Sequence, residues 1–167
     1  MGRAALAELG LEKILWIPTG APGYRDAPVA SGEDRVAMLK LALESEPRYE
    51  IDERELGGGA TGYTFDTLTE LRLENGPDAE LWLLMGADQY SKFEDWHRPH
   101  DIRKLAKIGV FDRPGSHARD AGARVISFTP MNVSASDIRA RTARGEDISA
   151  LVPAAVANYI GANGLYR

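Results

Sequence analysis

Glu80-Leu-Trp-Leu-Leu-Met85 is the clearest strand signal in the chain, and it runs straight into Gly86-Ala-Asp88. A short unbroken apolar run bounded by turn residues suits a strand buried on both faces. Upstream, Lys13-Ile-Leu-Trp-Ile17 before Pro18 reads the same way. Downstream, Ile108-Gly-Val-Phe111 and Arg124-Val-Ile-Ser-Phe128 read as further strands. Tyr49 to Leu56 alternates weakly and is expected to form another. Helical patterns lie between them. Ser31 is an N-cap, with Asp34 in a weakened capping box and Val36, Leu39 and Leu43 on one face. Thr64 is expected to cap a helix reaching Asn75, stopped by Gly76-Pro77. Helices are also expected at Arg3–Gly10, near Asp101–Ala106, at Ser134–Arg144, and around Val152, Val156 and Ile160 with Pro153 in the first turn. Strands alternating with helices mean an α/β domain with a mainly parallel sheet. In such sheets ligands bind beyond the carboxyl ends of the strands. That rule selects Pro18–Gly20, Gly86–Asp88 and Arg113–Gly115.

The chain has 167 residues, suited to one domain, residues 1–167, with no internal repeat or linker. Apolar residues make up 44%, which argues against wholesale disorder. Cysteine is absent, so disulfides, thiol nucleophiles and thiolate zinc sites are excluded. A net charge of −5 argues against binding nucleic acid through phosphate charge. It leaves room for a small anion held by a few cations and backbone N–H groups. No apolar run reaches membrane-spanning length and no signal sequence opens the chain, so a cytoplasmic location is expected.

Three clusters could carry chemistry. Asp88, at a strand's carboxyl end, suits a ribose hydroxyl or a metal-bound water, though position alone favours a solvated cap of the next helix. Trp96 lies in a loop beside His97, where it can stack on a flat ring or simply fill space. His97 and His100 lack a third metal ligand nearby, and Pro99 separates them, so no metal site is expected. Val133-Ser-Ala-Ser-Asp-Ile-Arg139 opens a helix with hydroxyls at Ser134 and Ser136 and a cation at Arg139. It can bind an anion, or be a plain N-cap with a solvated Arg.

Taken in order, these stretches resemble the bacterial nicotinate-nucleotide adenylyltransferases of the nucleotidyltransferase family. The resemblance rests on Trp16-Ile-Pro18, Gly62-Tyr-Thr-Phe-Asp-Thr-Leu68, Leu84-Met-Gly-Ala-Asp88, Phe93-Glu-Asp-Trp96, Arg113-Pro-Gly115, Val133–Arg139 and the tail from Val152-Pro153 to Leu165-Tyr166. It spans nearly the whole chain. It implies a Rossmann-like, doubly wound, mainly parallel fold. It also implies a reaction: adenylyl transfer from ATP, with magnesium, to nicotinate mononucleotide in NAD biosynthesis. By the same resemblance Trp96 stacks on the nicotinate ring, and the N–H groups of Thr64 and His97 receive its carboxylate. Asp88 faces the nucleotide, and Arg25 stands in the substrate loop where the family has Lys. Ser134, Ser136, Arg139 and Arg113 bind ATP.

The family's first strand and its G-G-x-F-D-P-x-H-x-G-H loop have no counterpart here, and Ala135 replaces a Ser. No catalytic residue is therefore assigned. The expectation is a shortened sequence, with Met1 an internal or artificial start and a central strand missing. Two other readings stand beside it. One is a sister adenylyltransferase for nicotinamide mononucleotide or pantetheine phosphate. The other is a nucleotide-binding module without catalysis.

Overall fold

Each apolar run becomes a strand and each amphipathic stretch a helix. The structure, a computed structural model, describes residues 1–20, 29–112, 122–129 and 133–167. The order is α1 (Gly2–Leu9), β1 (Ile14–Trp16), α2 (Gly32–Leu43), β2 (Tyr49–Ile51), α3 (Thr64–Asn75), β3 (Trp82–Gly86), α4 (Ala87–Tyr90), α5 (Pro99–Leu105), β4 (Lys107–Asp112), β5 (Arg124–Ser127), α6 (Ala135–Ala143) and α7 (Ala154–Ala162). Single 3-10 turns occupy Arg54–Leu56 and Phe93–Asp95. All described strand pairs are parallel, β1 with β2, and β3 with β4 with β5. The chain divides into two compact units, Met1–Glu12 with Thr61–Pro130, and Lys13–Ala60 with Met131–Arg167.

The first unit is built on the sheet β3-β4-β5, with Met85 opposite Val110 and Val110 opposite Val125. One face packs Leu68 of α3, Phe93 and Ile102 of α5 against Met85, Ile108 and Val110. Gly109 points the other way, where an added Cβ would lie 2.7 Å from Leu84 and 3.0 Å from Ile126. Only glycine lets β3 and β5 side chains close over β4 there. At Gly10, φ is 65°, and its N–H donates to the Leu6 carbonyl, so α1 ends where the glycine predicts.

Arg72, near the end of α3, is a tie that sequence patterning does not show. Its guanidinium donates to the carbonyls of Gly76, Pro77, Ala79 and Leu105 at 3.1, 3.1, 2.5 and 2.6 Å. It thereby fastens the α3–β3 connection to the last residue of α5. Arg72→Ala is expected to destabilise the chain by about 2–3 kcal/mol, because several partly buried carbonyls lose a charged donor. Arg72→Lys is expected to recover less than half, since one ammonium cannot span four acceptors. Urea unfolding of the three proteins measures both, and an alanine variant as stable as the parent contradicts the assignment.

The second unit contains the β1–β2 pair, with Trp16 edge-on to Tyr49 at 5.6 Å. Ser31 caps α2 as expected: its hydroxyl accepts the Asp34 N–H at 3.0 Å and donates to the Asp34 carboxylate at 2.6 Å. Tyr159 of α7 donates to the other Asp34 oxygen at 3.0 Å. Ser31 first, and then Tyr159, hold the Asp34 carboxyl below the ordinary carboxylate range. A depressed folded-state value contributes stability above the unfolded value, and that stability is lost as pH falls through the folded one. Tyr159→Phe is therefore expected to lower Tm at neutral pH, with the gap to the parent closing in acid. Melts across the acid range test this, and a gap that stays constant with pH contradicts it.

Four expectations need correction. Tyr63, not Thr64, is the N-cap of α3, and Thr64 is the first helical residue. No side chain caps this end of α3, and just upstream the Thr61 hydroxyl donates to the Asp66 carboxylate at 2.6 Å. The strand expected over residues 49–56 stops at Ile51. Asp52 turns the chain there by accepting the Arg54 N–H at 3.0 Å and its Nε at 2.7 Å. Pro153 is the N-cap of α7 rather than a first-turn residue. Val152 precedes α7, yet still packs on Ile148, Val156 and Ile160.

Candidate active site

Two segments of the first unit that carry candidate residues meet: the start of α3 and the loop between the Phe93–Asp95 turn and α5. Phe93 is 1% exposed and anchors that turn in the core. Trp96 follows it, part-buried, with its ring 5.5 Å from Phe93 at 52°. His97 is exposed and lies over Tyr63, centroid to centroid 4.4 Å at 31°, and edge-on to Phe65 at 6.4 Å. Arg98 places its guanidinium 3.8 Å from the Phe65 ring centroid. So His97 and Arg98 bring the segment that follows Trp96 against the two residues flanking Thr64.

Among the described residues, neither the Thr64 nor the His97 N–H donates to another group. Thr64 opens a twelve-residue helix, so its N–H carries the positive end of the helix dipole. Two such donors flanked by flat rings suit an aromatic ring bearing an anionic group. Asp88 lies at the carboxyl end of β3, exposed, at the start of α4. The Ser91 hydroxyl donates to its backbone carbonyl at 3.0 Å.

The candidate phosphate residues belong to the second unit. Ser134 caps α6, accepting the Asp137 N–H at 3.1 Å, and its hydroxyl sits 3.0 Å from that of Ser136. Arg141 pairs with Asp137 at 2.9 Å, while Arg139 is exposed one turn into the helix. Its charge is felt at Tyr166, whose hydroxyl burial pushes up and Arg139 and Arg35 pull back. Arg25, Arg113 and His117 lie outside the described residues. No cluster of three or more His, Asp or Glu able to hold a metal forms among the described residues. A surface hollow of about 550 Å³ between α2 and β2, lined by Lys40, Leu43 and Tyr49 among others, contains none of the candidates.

A family model described as Cytidylyltransferase-like matches residues 2–141. A Laribacter hongkongensis protein named "Probable nicotinate-nucleotide adenylyltransferase" is 39% identical, with 100% of this chain and 86% of that protein covered. The chain belongs to the nicotinate-nucleotide adenylyltransferase family. A Salinispora arenicola protein of the same name is 34% identical over 95% of this chain and 87% of its own length. Among solved structures, the Plasmodium falciparum nicotinic acid mononucleotide adenylyltransferase complexed with NaAD gives a TM-score of 0.78. Its sequence identity is 13%, with 98% of this chain and 87% of that one covered. The same enzyme complexed with APC gives 0.75. At such identity the likeness establishes the fold, a Rossmann-like parallel nucleotidyltransferase fold.

The sequence reading missed Tyr63, Phe65 and Arg98. The signal was present, since aromatic residues flank Thr64 on both sides and Arg98 directly precedes the proline that opens α5. No described helix is long and apolar enough to cross a membrane.

Proposed function

We propose that the chain binds nicotinate mononucleotide and ATP and serves adenylyl transfer between them. A phosphate oxygen of the mononucleotide attacks the α-phosphorus of ATP. The bond from that phosphorus to the bridging oxygen breaks, giving nicotinate adenine dinucleotide and pyrophosphate. Such a displacement needs alignment and charge neutralisation rather than a protein nucleophile. Trp96 stacks on the pyridine ring, and the Thr64 and His97 N–H groups donate to its carboxylate. Asp88 faces the nucleotide. Ser134, Ser136 and Arg139 hold ATP phosphates, joined by Arg113, and Arg25 takes the substrate-loop position. Magnesium carried with ATP would supply further charge neutralisation at the phosphates, where one or two carboxylates suffice beside phosphate oxygens.

The observation that supports this reading is that the Thr64 and His97 N–H groups donate to no described residue, in a chain whose relatives bear the nicotinate enzyme's name. A second reading is favoured by one fact: the 167 residues contain no H-x-G-H pattern, and His97, His100 and His117 stand elsewhere. On that reading the chain binds the nucleotides without transferring the adenylyl group. Pyrophosphate release from ATP, measured with nicotinate mononucleotide, nicotinamide mononucleotide and phosphopantetheine as acceptors, separates the readings. Release with the nicotinate acceptor is expected. Binding of that acceptor without release moves the assignment to the second reading, and faster release with another acceptor overturns both.

A further inference from the structure

Discrimination between an acid and an amide by two backbone N–H groups depends on their spacing, and here the two groups sit on separate segments. Something must hold Thr64 and His97 in register. The side chains flanking them do so. Tyr63 and Phe65, on either side of Thr64, are gripped by His97 and Arg98 respectively, at 4.4 Å and 3.8 Å.

We propose that Arg98 is the positioning residue that sets the preference of this site for the nicotinate carboxylate, by clamping the His97 N–H against the start of α3. The inference rests on the substrate reading above.

The backbone supports it. Arg98 has φ 57° and ψ 52°, one of two described non-glycine residues in the left-handed region. An L-residue holds that conformation only where its surroundings over-determine it. Here they do. The Arg98 carbonyl accepts the Asp101 and Ile102 N–H groups at 3.1 Å each and so starts α5, while Ile102 is fully buried. The guanidinium meets Asp101 through Nε and Nη2, both at 2.9 Å, with its plane over Phe65. Lys104 holds Asp101 from the far side at 2.9 Å. The left-handed turn thus lets one residue both start α5 and reach back to α3. Lysine cannot reproduce the planar stack or the two-point contact.

The test uses the full chain and titrates nicotinate mononucleotide and nicotinamide mononucleotide into the parent, Arg98→Gly, Arg98→Lys and Phe65→Leu. Glycine accepts the left-handed backbone freely, so Arg98→Gly removes the clamp without straining the turn. Phe65→Leu removes the same contact from the other partner. The expected result is an acid preference in the parent that falls about tenfold in Arg98→Gly and in Phe65→Leu, the worth of one hydrogen bond to a charged oxygen. Amide binding is expected to stay unchanged. In the double variant the loss is expected to match either single one, because both remove one interaction. Full acid preference in Arg98→Lys overturns the proposal, because charge alone would then suffice. So does equal weakening of both ligands, or an Arg98→Gly variant as selective as the parent. A parent that binds neither ligand, or both equally, overturns the substrate reading itself, a result distinct from a selective parent with selective variants.

Discussion

Replacing Trp96 with alanine is expected to weaken nicotinate mononucleotide binding by about 5- to 150-fold, the roughly 1–3 kcal/mol that aromatic stacking on a flat base contributes. One part of the Trp96 ring packs on the core beside Phe93, at 5.5 Å, and the residue is only part-buried, so ring surface is left for a ligand. Trp96→Phe keeps a π face and is expected to recover most of the affinity. Stability of each variant without ligand separates packing from stacking, since a lost stack leaves the ligand-free melt far less affected than the titration. An alanine variant with the parent's affinity contradicts the role.

The second large effect is structural and reaches the site through one residue. Phe93→Ala is expected to cost about 3–5 kcal/mol, as emptying a buried aromatic site does. Phe93 is 1% exposed, stacked with Tyr90 at 6.1 Å and 22°, and covered by the Arg103 guanidinium at 4.8 Å. Arg103 is held over it by Glu94 at 2.7 Å. Domains of this kind have about 5–15 kcal/mol in all, so Tm is expected to fall by roughly 6–20 °C. Trp96 loses its backing in the same variant, so substrate affinity is expected to fall with stability. Phe93→Leu refills much of the volume and is expected to cost far less. A Tm within a degree or two of the parent contradicts the placement of Phe93 at the centre of this core.

What could be read from sequence was what local chemistry decides. The Trp82–Gly86 strand announces itself because a short apolar run bounded by turn residues suits a strand, although only Met85 in it is buried. Ser31 and Ser134 are legible as caps because the cap and the N–H it accepts lie three residues apart. Thr64 misleads for the same reason. It has the right side chain, but the cap position falls one residue earlier, at Tyr63, with no side-chain cap. Tyr49 to Leu56 reads as a longer strand because alternation does not register a competing Asp52–Arg54 turn. Arg72, Arg98 and the Tyr63–His97 stack stayed hidden because each has a deciding partner in a distant part of the chain, Leu105, Phe65 and one another. A sequence pattern shows that a cation is present, and only the fold shows which ring or carbonyl it meets.

The most direct test of the account is a thermal melt of the chain with and without nicotinate mononucleotide, with nicotinamide mononucleotide as the control. At about 100 times Kd, a bound ligand adds roughly 2.7 kcal/mol. For a chain of this length that raises Tm by about 5–10 °C. The account predicts that rise for the acid and a markedly smaller one for the amide. A cooperative melt unmoved by the acid, or moved equally by both, contradicts it.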